Sequence, residues 1–363
     1  MKGRANYRAT FFCCLIIVSL FLSISTSHIN ACTTFRVKSG HDILVAKNLD
    51  WPIDDGYIVA NPSGVKKHSF VESSLKQLQW TSKFGSITFN QFGKEFPLGG
   101  MNEAGLVIEE MNYSLSSYPS LEKQAFVNEF QWVQYHLDMY ATVNDVIESS
   151  GQIHISPMIV KLHYFVCDTT GQAAVIEFIN GEMKVYTEET LVVPVLSNNS
   201  YENSIKYLNL HRGFGGDKLV VNSPASQERF VRAAVMLTQI NPLDRDYIID
   251  YAYGILKTVS QHDTQWSIVY DIPNRKIHFN TRINPFVKTI SFQDIDFTSK
   301  SMISILDDHP FNNETPEFIE YAHERNDILL QHVLQQLVQF GELERGEADD
   351  LRKRIVDYVK SMR

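Results

Sequence analysis

The residue best placed to do chemistry in this chain is Cys32, which follows Ala31. Lys2, Arg4 and Arg8 precede an apolar run from Phe11 to Ile24, and a polar stretch then leads to Ala31, which is the layout of a secretory signal. Cleavage after Ala31 makes Cys32 residue one, with a free α-amino group beside its thiol. Such a residue is nucleophile and base together. The thiol attacks a carbonyl, and the amine, with an ordinary pKa of ~7.7–8, takes the thiol proton and later returns it to the leaving group. Two other readings stand beside this one. Ile29-Asn30-Ala31-Cys32 reads as a lipobox, in which case Cys32 is acylated, its amine is blocked and the protein is anchored on a membrane. Asn30 and the long polar spacer from Ser25 are awkward for that motif. Alternatively Cys32 and Cys167, left when Cys13 and Cys14 depart with the leader, form a disulfide or remain inert buried thiols.

A core must position whatever Cys32 does, because two cysteines cannot staple a scaffold. The 363 residues are 44% hydrophobic and 21% charged, the composition of a globular protein long enough to bury a large core. The net charge is −9, and loss of the leader's three cations takes it to −12, which disfavours nucleic acid or an anionic membrane as partner. The leader's apolar run is too short to span a bilayer and nothing later is as apolar, so the mature chain is expected to have no membrane span. Short β-branched or aromatic runs at Thr33 to Val37, Ile43 to Val45, Tyr57 to Ala60, Ser86 to Phe92 and Leu106 to Met111 read as strands bounded by turn residues. Helical patterns follow at Val127 to Met139 and Val143 to Ser149. Strands return at His163 to Cys167, Ala173 to Phe178 and Met183 to Tyr186, the last pair joined by Asn180-Gly181. Three more helices (Tyr201 to Leu210, Ser226 to Gln239, Arg245 to Val259) precede an alternating hairpin of Trp266 to Tyr270 with Lys276 to Phe279. Clustered strands with helices between them indicate an α+β fold with antiparallel sheets. From Thr315 the chain is charged and helical, with Ile319, Leu330, Val333, Leu334, Leu337 and Val338 on one face and Gly341 before a second helix from Gly346 to Met362. That tail is expected to pack on its own domain, a homo-oligomer contact being the alternative.

Four separated motifs give the chain a resemblance. Cys32-Thr33-Thr34-Phe35 with Lys47-Asn48-Leu49-Asp50-Trp51, then Met101-Asn102-Glu103-Ala104-Gly105-Leu106 with Asn112 ten residues after Asn102, then Val195-Leu196-Ser197-Asn198, then Ser223-Pro224 leading to Arg229-Phe230-Val231-Arg232, resemble in wording and order the choloylglycine hydrolase and penicillin V acylase family. The resemblance covers roughly Cys32 to Arg232, with the Trp266 to Phe279 hairpin as its continuation, and leaves the tail unmatched. It implies an N-terminal-nucleophile hydrolase of linear amides, an αββα sandwich of two antiparallel sheets, with a leader over residues 1–31, a catalytic domain over 32–314 and a C-terminal helical extension over 315–363. It also implies roles. Cys32 is nucleophile and, through its α-amine, base; Asp50 holds that amine; the Asn198 side chain and the Asn112 backbone N–H donate to the oxyanion; Arg229 brings a fixed positive charge that favours thiolate.

In one place the chain departs from the family, which usually has Arg where this sequence has Lys47. Arg is a planar fork and Lys a point charge, so a cation at Lys47 still acts on the thiol, but without the same geometry. Trp51, beside Asp50, is a candidate for the wall of an apolar substrate pocket. The histidines show no His-x-x-x-His spacing and the cysteines no Cys-x-x-Cys, and Gly213-Phe214-Gly215-Gly216 lacks the wording of a phosphate cradle, so neither metal nor cofactor is expected. The expected activity is hydrolysis of a small N-acyl amide such as a conjugated bile salt, penicillin V or an N-acyl homoserine lactone, through an acyl thioester, in a periplasm or outside the cell after signal-peptidase processing. The alternatives are a lipid-anchored binding protein acylated at Cys32, and an acyltransferase on the same scaffold.

Overall fold

A computed structural model describes residues 32–120, 124–240, 245–305 and 315–362, so the leader lies outside the described residues. The centre of the fold is a hairpin. Strand β1 (Thr33–Ser39) turns at Gly40, whose φ of +57° suits a residue without Cβ, into β2 (Asp42–Asp50), in a register that sets Thr33 opposite Asn48. On its other edge β1 takes Val195–Ser197, with Thr33 opposite Ser197. β2 continues to Thr264–Asp271, Lys276–Thr281 and Lys288–Ser291, completing a six-stranded antiparallel sheet.

The second antiparallel sheet has nine strands, in the spatial order Glu182–Thr187, Ala173–Ile179, Leu162–Cys167, Val107–Asn112, Pro97–Asn102, Ser86–Asn90, Tyr57–Asn61, Met302–Ile305 and Ile319–Glu320. The two sheets face each other. Phe89 of the larger sheet lies among Trp266, Tyr270 and Phe279 of the smaller, at ring-centroid distances of 6.1, 6.5 and 5.7 Å. The Ser226–Thr238 and Arg245–Val259 helices cover the outer face of the six-stranded sheet, and Glu129–Met139 and Val143–Ser150 cover that of the nine-stranded sheet. The layers therefore run helix, sheet, sheet, helix. This explains why β2 is buried at nearly every position instead of alternating, since both of its faces are covered.

Pro97–Asn102, with a Pro and two Gly, carries no strand pattern of the kind read elsewhere in the sequence, yet it is a central strand. Pro97 opens it, where a missing N–H is tolerated. A Cβ at Gly99 would stand 2.2 Å from the Glu109 carboxylate, and one at Gly100 2.4 Å from the Ile87 carbonyl. The glycines mark close approach. In the tail, Ile319 is not on a helix as its spacing suggests: Ile319–Glu320 pairs with Met302–Ile305 at the sheet edge, and the first helix begins at His323. Gly341, at φ +74°, ends that helix, and Arg345–Ser361 folds back as the second. Leu330, Val333, Leu334, Leu337 and Ile355 are buried between the hairpin and the sandwich. Among the described residues, no helix is long and apolar enough to cross a membrane.

Candidate active site

The pleat of β1 and β2 sorts the sequence motifs onto two faces. Side chains alternate, so Cys32, Thr34, Lys47 and Leu49 share one face, and Thr33, Asn48 and Asp50 share the other. The face with Cys32 points into the sandwich, where Lys47 meets carboxylates of the opposite sheet. The face with Asp50 points at the helices, where the Asn48 amide donates to the Leu256 carbonyl at 2.9 Å. Cys32, at the entrance to β1, is 4% exposed. Cys32 and Cys167 are separate free thiols, which removes the disulfide.

Arg229, from the Ser226–Thr238 helix, organises the helix-facing side. Its Nη1 donates to the Cys32 carbonyl at 2.7 Å and to the Thr33 hydroxyl, its Nη2 to Asn198 Oδ1 at 3.2 Å, and its Nε to the Pro224 carbonyl at 3.1 Å. These contacts hold the main chain of the nucleophile rather than its sulfur. Asp50 lies alongside, with Oδ2 3.9 Å from Arg229 Nη1 and Oδ1 accepting from the Thr264 hydroxyl. Burial pushes the Asp50 carboxyl up to about 7, against the pull of Arg229 and Thr264. Its Oδ2 is buried and has no hydrogen-bond partner among the described residues.

Asn112 and Asn198 meet as the oxyanion reading requires them to be near each other, in a definite geometry: Asn198 Nδ2 donates to the Asn112 carbonyl at 3.0 Å. The sheet explains why that carbonyl is available. Tyr113 donates to the Lys161 carbonyl, so Tyr113 and Lys161 form a hydrogen-bonded pair and Asn112, opposite Leu162, a non-bonded one. Both the N–H and the C=O of Asn112 therefore point to the strand's other edge, where the Pro97–Asn102 partner pairs only as far as Glu109. The open edge offers the Asn112 N–H beside the remaining Asn198 amide hydrogen.

On the sandwich-facing side, Lys47 is 2% exposed, 2.8 Å from Glu109 Oε2 and 3.6 Å from Glu110 Oε1, and it donates to the Glu110 carbonyl at 2.8 Å. Burial works to strip its proton, but the two carboxylates outweigh burial and hold it an ammonium. Burial pushes the Cys32 thiol up to about 12; Lys47 pulls it down, while Glu110 and Asp50 reinforce the rise. Lys47 is the cation that pulls hardest on the thiol, and Arg229 also interacts electrostatically with Cys32. Neither Glu109 nor Glu110 stands out as a site residue in the sequence, although two carboxylates inside the apolar run Leu106 to Met111 signal a buried charge that needs a partner.

A tight cavity of about 40 Å³ opens at Cys32. Trp51 and Leu49 wall it from the β2 side, Phe92, Leu98, Phe130, Val160 and Leu162 from the opposite sheet and its helix layer, and Gln91, Glu110 and Asn112 supply its polar groups. A free thiol, two neighbouring asparagines, a buried carboxylate and an apolar recess at the thiol are groups of the kind an amide-cleaving site uses.

The family model described as linear amide C–N hydrolases, choloylglycine hydrolase family, matches residues 32–305. The chain belongs to this family. As a choloylglycine hydrolase family member it is a hydrolase of linear amide C–N bonds. It is similar to the penicillin V acylase of Pectobacterium atrosepticum, with 22% identity over 345 residues, 83% of this chain and 90% of the relative. Its fold is that of the penicillin V acylase from Agrobacterium tumefaciens (TM-score 0.69, 21% identity, 80% of this chain and 98% of the other). The same holds for a variant of the conjugated bile acid hydrolase from Clostridium perfringens (TM-score 0.65, 19% identity, 78% and 98%). The tail helices, beyond residue 305, lie outside the family match.

Proposed function

We propose that removal of residues 1–31 starts the enzyme by making Cys32 the first residue. The observation that carries this is Asp50 Oδ2, a buried carboxylate oxygen without a hydrogen-bond partner among the described residues, next to the guanidinium that holds the Cys32 main chain. A buried acceptor left open there suits an α-ammonium that exists only after cleavage. In the uncleaved chain the Cys32 nitrogen is an amide, Lys47 draws the thiol down, and burial keeps the thiol protonated. Cleavage adds a neutral amine that serves as base and, once it has taken the thiol proton, becomes the ammonium that Asp50 holds.

The thiol then attacks the amide carbonyl while the α-amine takes its proton. Asn198 and the Asn112 N–H steady the oxyanion, the amine leaves with the proton, and an acyl thioester remains. Water, activated by the same α-amine, releases the acid. Export, signal-peptidase processing and a small N-acyl amide substrate complete the reading. A lipid anchor on Cys32 fits poorly, since the acylated amine could not supply the ammonium that the open Asp50 oxygen suits.

Intact mass and N-terminal sequencing of the exported protein test the proposal. A free Cys32 at residue one, with turnover of an acyl amide that drops roughly 10⁴-fold or more in a correctly processed Cys32→Ala protein, is the expected result. A start elsewhere, or wild-type rates without the thiol, would overturn it.

A further inference from the structure

Beyond Cys32, Glu110 is the only ionisable side chain on the cavity wall among the described residues. Its position is set by the pleat: two residues from Asn112, its side chain lies on the same face, and 7% of it remains open. Nothing nearby uses its charge fully. Lys47 gives its close contacts to the Glu109 carboxylate and to the Glu110 carbonyl, both at 2.8 Å, leaving the Glu110 carboxylate at 3.6 Å. Glu109 in turn accepts from the Tyr270 hydroxyl. One ammonium thus faces two carboxyl groups, and Glu110, the less closely paired and raised by burial to about 7, is the one on the cavity wall, where above that pH its negative charge faces the cavity. Of the other two polar wall residues, Gln91 donates its amide to the carbonyls of Ile53 and Asp55 at 2.8 and 3.1 Å, and Asn112 accepts from Asn198 through its carbonyl.

We infer that Glu110 selects the acyl group: the cavity takes a short acyl chain whose end carries an ammonium or a hydroxyl, and rejects one that ends in a carboxylate. The inference rests on the proposed amide hydrolysis at Cys32. Its physics is desolvation. A plain alkyl chain would strip water from a carboxylate and give nothing back, an anionic chain would add repulsion in a low-dielectric recess, and a donor at the chain end restores the lost hydrogen bond. The small recess adds the limit on length.

The test uses the mature protein at pH 8, above the Glu110 value of about 7, and one chromogenic amine acylated four ways: pentanoyl, 5-aminopentanoyl, 5-hydroxypentanoyl and glutaryl. The expected ranking of kcat/KM is ammonium and hydroxyl above methyl above carboxylate, with about ten- to a hundredfold between the ends, the worth of one charge-assisted hydrogen bond. In Glu110→Gln the ammonium should fall to within about threefold of the methyl, chiefly through KM, while the hydroxyl keeps most of its advantage. Glu110→Asp, which keeps the charge and draws it back by one methylene, should shift the preference to the longer 6-aminohexanoyl chain. The same amides are also titrated into the Cys32→Ala protein, with and without Glu110→Gln, by quenching of tryptophan fluorescence, because Trp51 lines the cavity. If no amide is hydrolysed, the proposed reaction fails, and the binding ranking alone still decides the selectivity. A ranking unchanged by Glu110→Gln, or a wild-type preference for the glutaryl chain, would overturn the inference.

Discussion

Cys32, Lys47 and Asp50 lie on one hairpin, yet they serve different surroundings because β1 and β2 are pleated: the thiol and the ammonium point into the sandwich, and the carboxylate points toward Arg229. That separation gives Asp50 a measurable pH signature. Its carboxyl is raised by burial to about 7 from an ordinary 3.8, so the folded, uncleaved chain holds the proton more tightly than the unfolded one. The resulting stabilisation is complete below pH 4 and is lost as pH rises through 7. Asp50→Asn in the uncleaved chain should therefore flatten the fall in stability between pH 4 and pH 8, by up to about 4 kcal/mol, read from denaturant midpoints at the two pH values. Glu110, raised by burial to about 7 as well, leaves a residual slope of the same sign. In the mature protein the same substitution should abolish turnover, since the α-ammonium loses its carboxylate. A steeper pH dependence in the variant would contradict the assignment of the buried proton.

The Glu129–Met139 helix shows how an element shapes the recess. Asn128 caps it by accepting from the Phe130 and Gln131 N–H groups, and Phe130 turns into the cavity wall. Glu129, fully buried at its first turn, accepts three backbone N–H groups of the facing loop, from Met158, Ile159 and Val160, at 2.6, 2.7 and 2.9 Å. Val160 is the opposite wall of the same cavity. One carboxylate therefore fixes the distance between two walls. Glu129→Ala leaves three buried donors without an acceptor and should cost about 3–5 kcal/mol of stability. Its functional readout is sharper: KM should rise and discrimination between acyl chain lengths should weaken, with kcat changing less, because the loop moves while Cys32 does not. Glu129→Gln, which keeps one acceptor oxygen, should fall between the two. An equal loss of kcat and kcat/KM in both variants would place Glu129 in the chemistry instead.

At the scale of the whole molecule, the two tail helices are tied into the sandwich near that recess. The Tyr358 hydroxyl donates to the His68 carbonyl at 2.5 Å and accepts from Gln131 Nε2 at 2.6 Å, while Gln131 Oε1 accepts from the Phe70 N–H at 2.6 Å. The Tyr358 ring packs edge-on against Phe70 at 5.2 Å. Tyr57 reaches the Arg325 carbonyl at 2.8 Å, and Asn326 Oδ1 accepts from the Lys94 N–H at 2.7 Å. These contacts make the extension a packed layer on the domain. Tyr358→Phe keeps the ring and deletes both hydrogen bonds, and should lower the thermal midpoint by about 2 °C for a loss of roughly 1 kcal/mol. The check is calorimetry of both proteins at one pH. A shift too small to resolve would mean that the hydroxyl contributes nothing net.

Period and punctuation alone read most of the strands and helices, because Tyr57 to Ala60 and Arg245 to Val259 have local patterns that tertiary packing only reinforces. Pro97–Asn102 was hidden because its glycines answer to neighbours, Glu109 and the Ile87 carbonyl, that only the folded chain brings close. Ile319 misled for a related reason: its spacing suits a helix, but an open sheet edge at Met302–Ile305 offered a ladder. Among the site residues, Cys32, Asp50, Asn112, Asn198 and Arg229 were legible because a reactive type stood at a processing point or inside recognisable wording. The carboxylates around Lys47 were not, since nothing local says which buried charge meets which. The order of residues determined the family and, through it, the layers. Tertiary structure alone decided that Asn112 turns its N–H and C=O to an unpaired edge, that Lys47 is neutralised by Glu109, and that Glu110 is left facing the cavity, because charges in a low-dielectric interior are settled by distances across the sandwich.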